Sequence, residues 1–264
     1  MKRIFLLAPM VGMLVGMTAL AGCKGGGVAD DPVLRLSAEE SLAQGKQLLA
    51  KEKWDKARPY FTHAFEVEPN SVIGREGLLL AADTYYLEGG SSNFVQAEAK
   101  YRDFLNRFPT SEQAPYVQFQ IANSLAKRME KPDRDQAGTR KALEAYQELI
   151  RLYPTSEYAG QAREQLKAVL HNLAEHEFVI GRFYQRYGTP GSAAVRFEFL
   201  VNTSPEYPEM DKVLYHLGLA YAQSQKPEEA TKTFDRLRTQ FPQSPFIQEI
   251  PQVTANQTAR TEAR

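Results

Sequence analysis

Between residues 37 and 247, apolar side chains recur three and four positions apart, the spacing that lines one face of an α-helix. The clearest stretch holds Leu214, Leu217, Gly218 and Tyr221, followed by Ala230, Phe234 and Pro242. It predicts two antiparallel helices joined by a short turn. Gly218 and Ala230 are small where the two helices cross closely. Leu217, Tyr221 and Phe234 fill the space between them and reach the next unit. Pro242 cannot continue the second helix and marks its exit.

The arrangement recurs upstream. Gly45, Leu48, Ala57, Phe61, Ala64 and Pro69 form a first unit. Two middle units keep the second helix, with Ala97, Tyr101, Phe104 and Pro109, then Ala142, Tyr146, Leu149 and Pro154. A fourth holds Gly181, Tyr184, Ala193, Phe197, Leu200 and Pro205. These coincident signals resemble the tetratricopeptide (TPR) pattern. The expected fold is all-α, an irregular array of about five tetratricopeptide-like helix pairs forming a curved superhelix. The marker prolines lie 40, 45, 51 and 37 residues apart, against about 34 in an uninterrupted repeat, so the units carry insertions. Gly89-Gly90-Ser91-Ser92 is expected to lengthen one inter-helix turn, and the charged stretch from Lys127 to Arg140 another. Glu157 to Gly181 has few breakers and predicts a long first helix for the fourth unit. On this reading residues 37–110 form an N-terminal half with the first two units, and residues 111–247 a C-terminal half with the other three. Residues 248–264 lose the apolar period and read as a polar, disordered tail.

The pattern also breaks at the start of the chain. Lys2 and Arg3 precede an apolar stretch from Ile4 to Leu20, which gives way to Leu20-Ala21-Gly22-Cys23. Charge, a short apolar core and small residues follow one another in that order in a secretory signal. The end of the stretch resembles the lipobox of bacterial lipoproteins. That resemblance implies removal of residues 1–22, thioether lipidation of Cys23 and acylation of its new amino terminus, palmitate being the expected chain. Residues 23–36, with Gly25-Gly26-Gly27, then read as a flexible tether. The competing reading is an uncleaved membrane helix, but the run is near the lower limit for a span and contains Pro9, Gly12 and Gly16.

Composition narrows the function class. Lys+Arg and Asp+Glu are both 32, and removal of Lys2 and Arg3 leaves 30 against 32. No basic excess is available for sequence-independent nucleic-acid binding. Cys23 is the single cysteine, so an intramolecular disulfide and a Cys-based zinc site are excluded. His63, His171, His176 and His216 include no His-x3-His pair, and no phosphate loop or Gly-x-Ser-x-Gly elbow occurs. No catalytic residue, no metal and no cofactor beyond the covalent lipid are expected, and the chain does not read as an enzyme.

Binding chemistry is expected instead on the inner surface of the superhelix, which the first helix of each unit lines. Counting from the small position of each unit selects Leu79, Asp83 and Tyr86 in the second unit and Tyr116, Phe119 and Asn123 in the third. An apolar and aromatic groove with a few amide and carboxylate groups suits an extended peptide. The other reading of Tyr116 and Phe119 is that they pack the neighbouring unit.

Three stretches are more specific than the repeat itself. They are Asp133-Arg134-Asp135-Gln136, Tyr153-Pro154-Thr155-Ser156-Glu157-Tyr158 and Leu173-Ala174-Glu175-His176-Glu177. Phe183-Tyr184 and Ala193-Ala194-Val195-Arg196-Phe197 follow. With the signal, lipobox and tether they resemble the BamD family, the TPR lipoproteins of the outer-membrane β-barrel assembly machine. The resemblance covers nearly the whole mature chain and is most specific over residues 130–200. It implies a non-enzymatic scaffold, lipid-anchored at the periplasmic face of the outer membrane. Its C-terminal half would bind the POTRA domains of a BamA-like insertase, and its N-terminal half would recognise unfolded barrel proteins. Small accessory lipoproteins are further implied partners. Arg196, with Asp133, Arg134 and Asp135, becomes a partner-binding candidate, an arginine being suited to interface carboxylates; its plain alternative is a solvated helix arginine. The competing function is a TPR lipoprotein of another envelope complex, a secretin pilotin or a cell-wall and division coordinator.

Overall fold

The computed structural model of the chain describes residues 31–252. The signal segment, Cys23, most of the tether and residues 253–264 of the tail lie outside the described residues. Ten α-helices follow one another among those described: α1 (Ala38–Leu49), α2 (Trp54–Val67), α3 (Val72–Glu88), α4 (Ser91–Arg107), α5 (Ala114–Ala126), α6 (Ala137–Leu152), α7 (Glu157–Arg186), α8 (Pro190–Thr203), α9 (Met210–Gln223) and α10 (Pro227–Gln240). Each packs chiefly on its neighbours in the chain, and first helices also meet across units, α1 with α3, α5 with α7 and α7 with α9. This is the stacked helix-pair superhelix that the apolar period predicts. No described helix is long and apolar enough to cross a membrane.

The exit of every second helix is built alike. Pro69, Pro109, Pro154, Pro205 and Pro242 each stand two residues beyond the helix end. The residue before each proline leaves the helix with φ between −134° and −130° and ψ between 55° and 67°. The proline ring's Cδ clashes with a preceding residue in the α region, which ends the helix there. Starts are capped by side chains in three units. Ser37 and Glu40 form a reciprocal capping box, and Ser71 and Ser156 accept from the amides of Gly74 and Ala159.

Within each unit the two helices meet at a small residue. A Cβ added to Gly45, Gly181 or Gly218 would lie 2.6, 2.5 or 2.4 Å from the ring of Phe61, Phe197 or Phe234 respectively. These rings are fully buried. The second and third units depart from this rule. Their buried aromatics are Tyr101 and Tyr146, and their first helices carry the fully buried Ala82 and Ala122.

Helix α7 has 30 residues and spans about 45 Å. Its first half, with Ala162 and Val169, belongs to the core of the second and third units. Its second half, with Ala174 and Phe178, belongs to the core of the fourth and fifth. A smaller core surrounds Phe61. The expected boundary between halves at 110 and 111 is therefore not where packing divides. Phe104, Val117 and Val169 share one core, and the two larger cores meet along α7.

Other expectations change as well. Gly89-Gly90-Ser91-Ser92 does not lengthen a turn, because Gly89 and Gly90 alone join α3 to α4. Their φ angles of 76° and 87° reverse the chain in two residues, a conformation that a Cβ disfavours. The extra length lies in α3 and α4, of 17 residues each. The tether is already folded at its end: Pro32–Arg35 forms a 3-10 turn with Val33 buried, and the Leu36 carbonyl lies 3.1 Å from His63 Nε2. The start of the tail is folded too. Pro245–Glu249 forms a second 3-10 turn, Phe246 stacks on Tyr215 at 5.2 Å, and Ile250 packs on the last core.

The crossing rule predicts opposite signs for one kind of substitution. Gly218→Ala pushes a methyl into the Phe234 ring and is expected to cost about 1–3 kcal/mol. Gly160→Ala, in α7 with nothing within 4 Å, is expected to stabilise by about 0.5–1 kcal/mol. Urea unfolding of the two variants checks both.

Candidate functional site

Two cavities lie among the helices of the second and third units and the start of α7. One, of about 710 Å³, is lined by Leu79, Asp83 and Tyr116 together with Phe104 and Tyr158. The other, of about 380 Å³, is lined by Tyr86, Phe119 and Asn123 together with Tyr146 and Gln165. The six groove residues selected from the repeat register thus fall three to each cavity. Tyr116 and Phe119 also pack Tyr158 of α7, with ring centroids 5.6 and 5.7 Å apart. Each of the two therefore lines the groove and joins neighbouring units at once.

The polar groups of the groove form one hydrogen-bonded chain. Tyr101 Oη and Tyr116 Oη both donate to Asp83 Oδ1, at 2.6 and 2.9 Å. Gln120 Nε2 donates to Tyr116 Oη at 3.0 Å, and Gln120 Oε1 accepts from Asn123 Nδ2 at 2.8 Å. Asn123 Oδ1 accepts in turn from Tyr146 Oη at 2.7 Å. The chain crosses α3, α4, α5 and α6. Burial pushes the Asp83 carboxyl up to about 6, although the two tyrosine hydroxyls favour its ionised form. Burial, and then the nearby Asp83 charge, push the Tyr101 hydroxyl well above its usual range.

Tyr101, Tyr146, Gln120 and Tyr158 join this chain or line these cavities without being selected by the repeat register. The available signal was tyrosine at the buried aromatic position in two units where the other three have phenylalanine. A buried hydroxyl needs a partner, and here the partners are the groove residues that follow Ala82 and Ala122.

The partner-binding candidates occupy a second region. Residues 127–136 connect α5 to α6, and the buried Gln136 holds the loop together. Its Nε2 donates to the carbonyls of Lys131 and Arg134, and its Oε1 accepts from Thr139. Asp133, Arg134 and Asp135 are exposed, and Asp135 Oδ1 accepts from the Ala137 amide at the start of α6. The loop is pinned to α7, where Asn172 Nδ2 donates to Glu130 O at 3.1 Å and His176 Nδ1 lies 2.6 Å from Pro132 O. The two motifs most distinctive in the sequence are thus one surface. Arg196 is half exposed and lies on α8, its Nη1 donating to Glu177 Oε2 of α7 at 3.1 Å. It finds a carboxylate inside its own chain.

The remaining histidines have structural partners as well. His171 stacks on Tyr207 at 5.4 Å. His216 is buried beside Arg182, and burial, with the charges of Arg182 and Lys212, lowers its pKa to about 3.

Residues 35–232 match the YfiO family model, described as outer membrane lipoprotein. The chain is similar to outer membrane protein assembly factor BamD of Caulobacter vibrioides, at 28% identity over 247 residues, covering 92% of this chain and 79% of that protein. It is similar to the protein of the same name from Neisseria gonorrhoeae, at 27% identity, covering 87% and 90%. The Rickettsia prowazekii BamD is 25% identical, with 88% and 90% covered.

Two outcomes follow from the geometry. With a folded-state pKa near 6, above the unfolded value of about 3.9, Asp83 binds protons more tightly in the folded chain. Its ionisation therefore lowers stability as pH rises through that window. Asp83→Asn is expected to remove this pH dependence and to match or exceed the parent at pH 7. Asp83→Leu, which orphans two hydroxyls, is expected to cost about 2–4 kcal/mol. Denaturant titrations at about pH 5 and about pH 7 test both, the window being set by the unperturbed and raised values. Separately, Gln136→Ala is expected to loosen residues 127–136, so that trypsin cleaves after Arg128 or Arg134 faster than in the parent, Lys131 being protected by Pro132.

Proposed function

The chain belongs to the YfiO family of outer membrane lipoproteins, and on that premise we propose that it is a non-enzymatic scaffold for assembling outer-membrane β-barrel proteins. Its α7–α8 face binds the POTRA domains of a BamA-like insertase, and its groove takes extended segments of unfolded barrel proteins. Cys23 carries the lipid that anchors it at the periplasmic face of the outer membrane, where each buried methylene of an acyl chain contributes about 0.8 kcal/mol. No cofactor beyond that lipid is required. Accessory lipoproteins bind elsewhere on the array.

The observation that carries the proposal is the family match from residue 35 to residue 232, which takes in both the groove and the α7–α8 face. The chemistry of the surfaces agrees with it. Phe183 and Tyr187 at the end of α7 are more than half exposed, with ring centroids 4.5 Å apart. Val195 and Phe199, one turn apart on α8 beside Arg196, are exposed to the same degree. Exposed aromatics and arginine are residue types that carry much of the binding energy at protein interfaces. Glu177 orients the guanidinium beforehand, which reduces the ordering cost on binding.

The test is affinity purification of the tagged lipoprotein from membranes with lipid retained, followed by mass spectrometry. An insertase carrying POTRA domains is expected in stoichiometric amount. Arg196→Glu, with an unchanged circular dichroism spectrum, is expected to lower its recovery by about tenfold or more. Recovery of a secretin or a peptidoglycan enzyme without an insertase would overturn the proposal and leave a TPR lipoprotein of another envelope complex.

A further inference from the structure

One oxygen of Asp83 is left over by the groove network. Both tyrosine hydroxyls donate to Oδ1, which occupies both of its lone pairs. Oδ2 has no hydrogen-bond partner among the described residues, yet it is not among the sealed, unsatisfied atoms. It is therefore open to the cavity that Asp83 lines. No ion pair among the described residues involves Asp83. Arg75 lines the same cavity, but its Nε donates to Ser71 O at 3.3 Å and its guanidinium lies over Phe108. Glu76 already pairs with Lys46 at 2.6 Å. The charged groups of the lining are Arg75, Glu76, Asp83 and Glu112, a net excess of negative charge. The remaining wall is aliphatic and aromatic along Leu79, Leu80, Phe104, Tyr116 and Tyr158 and polar at residues 110–113.

We infer that this cavity is the subsite for a lysine side chain of an extended peptide, its ammonium on Asp83 Oδ2 and its methylenes along Leu79, Tyr116 and Tyr158. The inference rests on the peptide-groove reading above and states what that groove selects. Lysine is preferred to arginine for a geometric reason. A guanidinium binds a carboxylate best through two parallel hydrogen bonds to both oxygens. Tyr101 and Tyr116 have already taken one of them, and a single open oxygen suits the point charge of an ammonium. The long apolar stem of lysine matches the side of the cavity formed by Leu79, Tyr116 and Tyr158, with its charged end at Asp83. Burial makes the Asp83 charge costly, and an arriving cation relieves that cost.

The probe is a fluorescent C-terminal peptide of an outer-membrane barrel protein. One guest position is moved along it and filled by lysine, arginine or the isosteric, uncharged norleucine. Anisotropy on the full-length lipoprotein is expected to show one register where lysine binds about tenfold or more tighter than norleucine and tighter than arginine. Asp83→Asn, which still offers Tyr101 and Tyr116 an acceptor, is expected to erase the difference. Equal binding of all guests in every register overturns the subsite and leaves the groove standing. Should no peptide bind, the Asp83 ¹³Cγ resonance is followed during titration with Nα-acetyl-lysine N-methylamide and its norleucine counterpart. A response to lysine alone keeps the subsite and removes the peptide groove, and no response overturns both.

Discussion

In three of the five units a phenylalanine ring of the second helix rests on the backbone of the first, where glycine provides the space. Gly45 with Phe61, Gly181 with Phe197 and Gly218 with Phe234 repeat this contact, leaving no room for even a methyl group. Close packing makes the crossing rigid, since a dense core has no slack to absorb a shift. The rest of the molecule follows from it. The second helices hold the first helices at a set angle, and first helices of neighbouring units then lie against one another.

The second and third units meet the same constraint differently, and the groove's chemistry begins there. Tyrosine replaces phenylalanine as the buried aromatic, and the hydroxyl reaches through the unit to the groove floor. Left unpaired it would cost about 1–3 kcal/mol. Asp83 and Asn123 supply the acceptors. Core and site therefore share atoms. The Asp83 carboxylate is held by Tyr101, which fills the interior, and by Tyr116 beside the cavity, so its position is as well determined as the packing.

Helix α7 plays the corresponding part for the second surface. It is long enough to belong to two cores, and between them it receives the loop of residues 127–136 through Asn172 and His176. The exposed charges of that loop and the α7–α8 face around Arg196 are carried by this one helix.

Much of this architecture was legible in the sequence. The period of apolar residues, the prolines that end second helices and the small residues at crossings act locally, through backbone sterics and side-chain volume, and local rules can be read from local sequence. That Leu79, Asp83, Tyr86, Tyr116, Phe119 and Asn123 line cavities is legible for the same reason, because counting from a small residue needs only the helical repeat. What only the tertiary structure decided is how the polar groups pair. Tyr101 and Tyr116 stand 18 and 33 residues from the carboxylate they share, and Gln136, within a charged stretch, is a buried clasp. The two-residue turn at Gly89 and the single core running past residue 110 were hidden likewise. Such pairings depend on the register between units, which helix lengths and crossing angles set together, and no stretch of local pattern encodes that sum.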